Sequence, residues 1–249
     1  DIAIDCIQSG GQALIFAETR KRASSLALKA SEAVNKRLDK ATKTMAAKTS
    51  TEILKNSDDT DLTKNLYHVV SRGVAFHHAG LGQSSREIVE QSFKAGIIKL
   101  LIATPTLAAG VNLPARRVIL SSIVRYDSDY GGNMPISVLE YKQLCGRAGR
   151  PKYDTSGEAV IVAGCGASAE DIYDHYILGN PEPLRSQMAN DKSIRVHLLS
   201  TISSVPGLKK SEIYELFEST LFAQQYRKAT VTFKIDNALS YLESEELIK

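Results

Sequence analysis

Short runs of consecutive apolar residues alternate along the chain with longer segments whose apolar positions recur at helical spacing. Gln12-Ala13-Leu14-Ile15-Phe16-Ala17 lies between Gly10-Gly11 and Glu18-Thr19-Arg20, and reads as a strand covered on both faces of a parallel sheet. Residues 21–40 follow as a basic helix carrying Leu26, Leu28, Ala30, Ala33, Val34 and Leu38. Residues 40–64 are polar without a clear period, which leaves an insertion, a helical excursion or a mobile loop open. Residues 74–80 predict a second strand entering a glycine turn, and 84–95 a helix capped by Ser84 or Ser85. Residues 100–103, 118–124 and 158–163 predict three more strands, and 137–145 a helix.

This alternation over residues 1–185 predicts an α/β domain, a mostly parallel sheet with helices on both faces. Right-handed crossovers then line up the loops that follow each strand along one edge, where such sheets bind ligands. Asn180-Pro181-Glu182-Pro183 interrupts the pattern, and 196–203, 211–225 and 235–247 each read as amphipathic helices. A brief extended piece is expected at 230–233. A second, small, mainly α domain over 186–249 follows, of winged-helix or helix-turn-helix type, with Lys249 about where a wing would begin.

The 249 residues are 43% hydrophobic and 24% charged, which excludes a disordered chain. No apolar run approaches the roughly 18 residues a bilayer span needs, so no membrane role is expected. Asp1-Ile2-Ala3-Ile4-Asp5 resembles a cut end rather than a signal peptide, so part of a longer chain is expected. Three well-separated cysteines without metal-ligand spacing predict neither disulfides nor a metal site, and fit the cytoplasm. The net charge of +3 resides wholly in residues 1–185, while 186–249 is neutral. Residues 20–48 hold nine basic and two acidic side chains, either a solvated helix face or a stripe that tracks phosphates.

No phosphate loop of the form G-x-x-x-x-G-K-[ST] and no D-E-x-H box is present, so this chain cannot by itself assemble an ordinary ATP-hydrolysing site. Gln143-Leu144-Cys145-Gly146-Arg147-Ala148-Gly149-Arg150-Pro151 carries the strongest signal. Two guanidinium forks three residues apart suit the oxygens of a transferring phosphoryl group, and Gly146 and Gly149 remove bulk so that a phosphate can approach. The plainer alternative is a pair of solvated surface arginines.

QLCGRAGRP resembles motif six of the superfamily-two helicases. LLIATPTLAAGVNLPARRVI resembles motif five of the Ski-two-like branch, ALIFAETRKRA motif four and VAFHHAGL motif four-a, all in the family's order. RYDSDYGGNMPISVLEYKQ and the tail beginning NPEPLRSQMANDK resemble the archaeal Hjm family of DNA repair helicases.

The resemblance implies a second RecA-like motor domain followed by a winged-helix domain. A first RecA-like domain would lie upstream and hold ATP and Mg2+, and a ratchet domain downstream. Arg147 and Arg150 would reach that ATP, Gln143 would orient water or the γ-phosphate, and Gly110 and Asn112 would link the nucleotide cleft to the nucleic-acid groove. Thr19, Arg20, His78, Thr104 and Thr106 would line the site for single-stranded or forked DNA, positioning the strand without reading its sequence, with His78 packing at the strand end in a His78-Ala79-Gly80 turn near the DNA.

Tyr126, Tyr130 and Met134 around Gly131-Gly132 would form a hairpin that wedges duplexes apart, or a loop that packs its own aromatics. The balanced charge of 186–249 favours a hinge over a DNA-binding helix. The resulting expectation is a monomeric ATP-dependent DNA helicase. An RNA helicase of the same branch, or a non-catalytic nucleic-acid-binding module, remains open beside it.

Overall fold

The computed structural model describes residues 1–106, 112–127, 131–150, 154–164, 168–205 and 207–248. They form two compact units, Asp1–Glu182 and Pro183–Lys249.

In the first unit, α1 (Ile2–Gln8) leads into β1 (Ala13–Phe16), then α2 (Arg20–Asn35), α3 (Lys40–Lys55) and α4 (Asp61–Val70). β2 (Val74–His77), α5 (Gln83–Lys94), β3 (Leu100–Ala103) and β4 (Arg117–Leu120) follow. A hairpin of β5 (Val124–Asp127) and β6 (Gly132–Pro135) precedes α6 (Val138–Cys145), β7 (Glu158–Ile161) and α7 (Ala169–Ile172) with its π-helical continuation Tyr173–Ile177. The main sheet is parallel throughout, in the order β2-β3-β1-β4-β7. Every residue of β2 and β3 is buried, so both faces of the sheet are covered, as their unbroken apolar runs require. Arg117, at the head of β4, bonds the Ile2 carbonyl and pairs with Asp5 and Glu158, tying α1 to β4 and β7.

The stretch 40–64, which reads as patternless, is largely helical. Asp39 caps α3 by accepting the Thr42 N–H, and Thr60 caps α4 by accepting that of Thr63. The buried face of α3 is Thr42, Ala46, Thr49, Ser50 and Ile53, which is helical spacing made mostly of small polar residues and therefore invisible to a search for apolar positions. The helix expected from Ser84 starts instead at Gln83 after Gly82, and Ser85 is buried against Ser57, with the two hydroxyl oxygens 2.6 Å apart. The single strand expected over 118–124 is two, because the chain leaves the sheet after Leu120 and re-enters extended structure in the hairpin.

Among the described residues the second unit is all helical: a short 3-10 turn Gln187–Ala189, α8 (Asp191–Ser204), α9 (Lys210–Glu218), α10 (Leu221–Gln225) and α11 (Lys228–Ser244). The extended piece expected at 230–233 lies inside α11. β-Branched Thr230, Val231 and Thr232 favour a strand locally. Val231, however, opens the buried stripe continued by Ile235, Ala238, Leu239 and Leu242, and tertiary burial wins. This stripe packs with Ile194, Leu198, Ile213, Phe217 and Phe222 into a core of its own.

A core this small has little stability to spare. Phe222→Ala, which empties a fully buried site, is expected to cost roughly 3–5 kcal/mol. Hydrogen exchange should then show α8 to α11 losing protection while β1 to β4 keep theirs.

Candidate functional site

A parallel strand has two unlike ends, and the residues singled out by sequence divide between them. At the carboxyl ends, Thr19 follows β1, His78 follows β2, and Thr104 and Thr106 follow β3. Thr19 and Arg20 are exposed at the start of α2, where the Thr19 hydroxyl accepts the Arg22 N–H at 3.1 Å. Its own proton stays available to an incoming acceptor. Thr104 and Thr106 are brought together, their hydroxyl oxygens 2.9 Å apart, with Thr104 buried and Thr106 exposed.

His78 packs at the strand end and holds the turn that follows it. It is buried, stacked on Phe76, and both ring nitrogens are engaged internally. Gly80 N–H donates to Nδ1 at 3.1 Å, which puts the ring proton on Nε2, 3.4 Å from Ser24 Oγ. Burial and the nearby Arg20 guanidinium push its pKa down, so the ring is neutral at physiological pH. His78 therefore shapes the Gly80 turn and joins it to α2. Its neighbour His77 has the carboxylate partner that sequence did not reveal: Nε2 lies 2.9 Å from Glu90 Oε1, while burial pushes the ring pKa down.

At the amino ends lies the arginine loop. Sequence reading placed ligand-binding loops on the carboxyl edge alone. α6, however, is a crossover, and it returns the chain to the start of β7. The loop is joined to the sheet by backbone: Ala115 N–H donates to the Arg147 carbonyl at 2.9 Å, and Gly149 N–H to the Ala115 carbonyl at 2.7 Å. Gly149 has φ +93°, in the left-handed region, and its missing Cβ would lie 3.4 Å from Gly157 Cα. Backbone geometry, rather than room for a ligand, accounts for this glycine. Gly146 ends α6 in a right-handed conformation and is exposed.

The two arginines have different surroundings. The half-buried Arg147 donates from Nη1 to Asn112 Oδ1 at 3.4 Å, so these two candidate residues meet. Arg150 is largely covered and grips Asp154 with two parallel bonds, Nε to Oδ2 at 2.6 Å and Nη2 to Oδ1 at 2.8 Å. Its Nη1 donates to Gln12 Oε1, and the buried Gln12 in turn donates from Nε2 to the Phe93 and Ile98 carbonyls, each at 2.7 Å. Gln12 and Asp154 were missed as site residues. The available signals were a polar residue directly before a buried strand and a carboxylate four residues after an arginine. Gln143 lies exposed on the last turn of α6.

The two edges are separated by the length of a four-residue strand, about 13 Å. The chain between β3 and β4 joins them: it leaves Thr104 at the carboxyl edge and reaches Asn112 beside Arg147 at the amino edge. Gly110 lies outside the described residues, as does Tyr130 of the hairpin. The hairpin pairs Arg125 with Met134 and Tyr126 with Asn133, so Tyr126 and Met134 project from opposite faces rather than forming one cluster. Tyr126 is 67% exposed, the higher of the two.

In the second unit, Lys210 pairs with Asp236 at 2.7 Å and Lys228 with Glu218 at 2.6 Å, and Lys234 pairs with Asp191. No helix among the described residues is long and apolar enough to cross a membrane.

Residues 56–152 match the model of the helicase conserved C-terminal domain. The chain is 40% identical over 247 residues to the ATP-dependent DNA helicase Hel308 of Methanocella arvoryzae, covering 99% of this chain and 33% of that protein. It is 38% identical over 253 residues to the ATP-dependent DNA helicase Hel308 of Pyrococcus abyssi, covering 100% of this chain and 34% of that protein. The chain thus spans about a third of the length of the curated relatives it matches.

The Arg150 guanidinium holds the Asp154 carboxyl below the usual carboxylate range. As pH falls the unfolded chain takes up this proton first, so the pair's contribution is complete at neutral pH and lost through the depressed value. Asp154→Asn is therefore expected to lower Tm at neutral pH and to flatten its decline below about pH 4. Thermal melts across that range by circular dichroism provide the check, and superimposable profiles would show the ion pair to be idle.

Proposed function

We propose that this chain is the second motor domain of an ATP-dependent DNA helicase of the Ski-two-like superfamily-two branch, followed by a small helical domain of winged-helix type. The observation that carries this reading is the meeting of Arg147 and Asn112 at the amino edge of the sheet, at the end of a segment that begins with the Thr104–Thr106 pair. One run of chain thereby touches both a phosphate-seeking guanidinium and a hydroxyl-lined edge suited to a phosphodiester strand.

A first RecA-like domain would supply the phosphate loop and hold ATP with Mg2+. The donor set here fits the complementary part: Arg147 is permanently charged, partly exposed and beside Asn112 at the amino edge of the sheet. Arg150 has a different starting point, since its fork is occupied by a carboxylate of the same charge type as phosphate. It supports the loop through Gln12 and Asp154, and reaches a nucleotide only by exchanging Asp154 for it. Gln143, one turn before Arg147, is free of the core and oriented by the same helix.

On the opposite edge, Thr19, Arg20, Thr104 and Thr106 would hold single-stranded DNA through its phosphates, with His78 shaping the turn beside them. Closure on ATP would move the arginine loop, and the segment ending at Asn112 would alter the threonine grip. Alternating grip and release would advance the strand, and the hairpin bearing the exposed Tyr126 would part a duplex or fork ahead. The second unit serves as a hinge toward a ratchet domain, because Lys210, Lys228 and Lys234 are matched by acids of the same unit.

Arg147→Ala in the full-length polypeptide is expected to lower DNA-stimulated ATP hydrolysis by roughly 10³-fold, the scale of lost arginine fingers in phosphoryl transfer. Binding of single-stranded DNA should change little. Turnover equal to the parent's would remove Arg147 from the nucleotide site. Unwinding of an RNA duplex as fast as the DNA duplex of the same sequence would reassign the substrate.

A further inference from the structure

The β5–β6 hairpin and the arginine loop lie at two ends of one continuous run of chain. β6 ends at Pro135, Ile136 and Ser137 follow, α6 occupies Val138–Cys145, and Arg147 lies just beyond. Three contacts converge on the start of this run. Tyr176 Oη donates to the Ile136 carbonyl at 2.8 Å. The Glu182 carboxylate accepts the Val138 and Leu139 N–H groups at 2.8 and 2.9 Å, closing the open amino end of the helix. From the hairpin itself, Arg125 Nη1 donates to Glu140 Oε1 at 2.8 Å.

The first two contacts fasten α6 to the body of the domain. The third joins the hairpin to α6 by side chains. Glu140 is the well-held member, with 17% of its side chain exposed against 52% for Arg125, and it stands in the first helical turn where the helix dipole favours a carboxylate. Arg125 projects from the same ribbon face as Met134, so the brace leaves the Tyr126 face open.

We propose that Glu140 and Arg125 form a strut through which α6 holds the hairpin at a set angle, so that Glu140 is a positioning residue for strand separation. This inference rests on the motor reading and deepens it. A displacement of α6 that moves Arg147 carries Glu140 with it, and Arg125 passes the displacement to β5. Without the strut the hairpin keeps its backbone bond from Ile136 N–H to the Ile123 carbonyl, 2.9 Å, but swings about that attachment. ATP turnover and the hold on a single strand depend on other residues and do not need it.

In the full-length polypeptide, Arg125→Glu and Glu140→Arg are each expected to lower the base pairs opened per ATP hydrolysed by about threefold to fivefold, the range a partly exposed ion pair supplies. DNA-stimulated hydrolysis and single-strand affinity should stay near the parent's values, and combining the two reversals should restore coupling. The milder Glu140→Gln should show the same split, which keeps the test intact if a reversal disturbs folding. Parental coupling in Glu140→Gln, or a double reversal no better than the singles, overturns the strut. So does a loss confined to Arg125→Glu with weakened DNA binding, which assigns Arg125 to a phosphate contact. A parent protein that neither hydrolyses ATP with DNA nor opens a duplex refutes the motor reading instead.

Discussion

The backbone bonds of Ala115 to Arg147 and Gly149 are the constraint from which the geometry of the candidate site follows. They graft the arginine loop onto the amino-terminal edge of a parallel sheet as an extra bridge beside β4. Gly157 then packs so closely on Ala148 and Gly149 that a Cβ there would lie 2.5 Å from backbone atoms. The loop's position is thus set by main chain, which cannot drift as a surface side chain can. Arg147 projects from a fixed platform, and Arg150 is spent on keeping that platform in register through Asp154 and Gln12.

Because a parallel sheet separates the beginnings of its strands from their ends, a domain of this kind presents two chemically distinct edges. One carries the paired guanidinium groups of Arg147 and Arg150, the other the hydroxyls of Thr19, Thr104 and Thr106 with the single guanidinium of Arg20. Anything that couples them must run the length of the strands. Among the crossovers that do so are the segment from Thr104 to Asn112, and α6 with the hairpin at its start. The first ends at Asn112 beside Arg147, and the second carries Glu140 beside Arg125.

Much of the fold was legible in the sequence. Leu100–Ala103 reads as a strand and is one, since an uninterrupted apolar run has no better place than a sheet covered on both sides. α3 was hidden because its inward face is threonine, alanine and serine, residues whose burial depends on close packing rather than on hydrophobicity. The 230–233 piece misled for the opposite reason, its β-branched residues being overruled by the core they help to build. In the candidate site the arginine pattern and the threonines were legible from residue type and order. So was the packing of His78 at the strand end and its turn to Gly80, but its partner Ser24 was not, since that residue comes from a separate helix.

The sequence by itself determined which side chains are present to do chemistry: permanently charged forks at fixed spacing, hydroxyls after buried strands, and no phosphate loop. Those are properties of residue type and local order. Only the tertiary structure decided how they divide, with Arg147 and Arg150 at one edge and the threonines with Arg20 at the other, Arg150 held by Asp154 and Gln12, and Arg125 reaching Glu140. Each of those outcomes depends on where a crossover returns the chain, and a crossover's destination is set by strand pairing among segments as distant in sequence as Ala13 and Arg117.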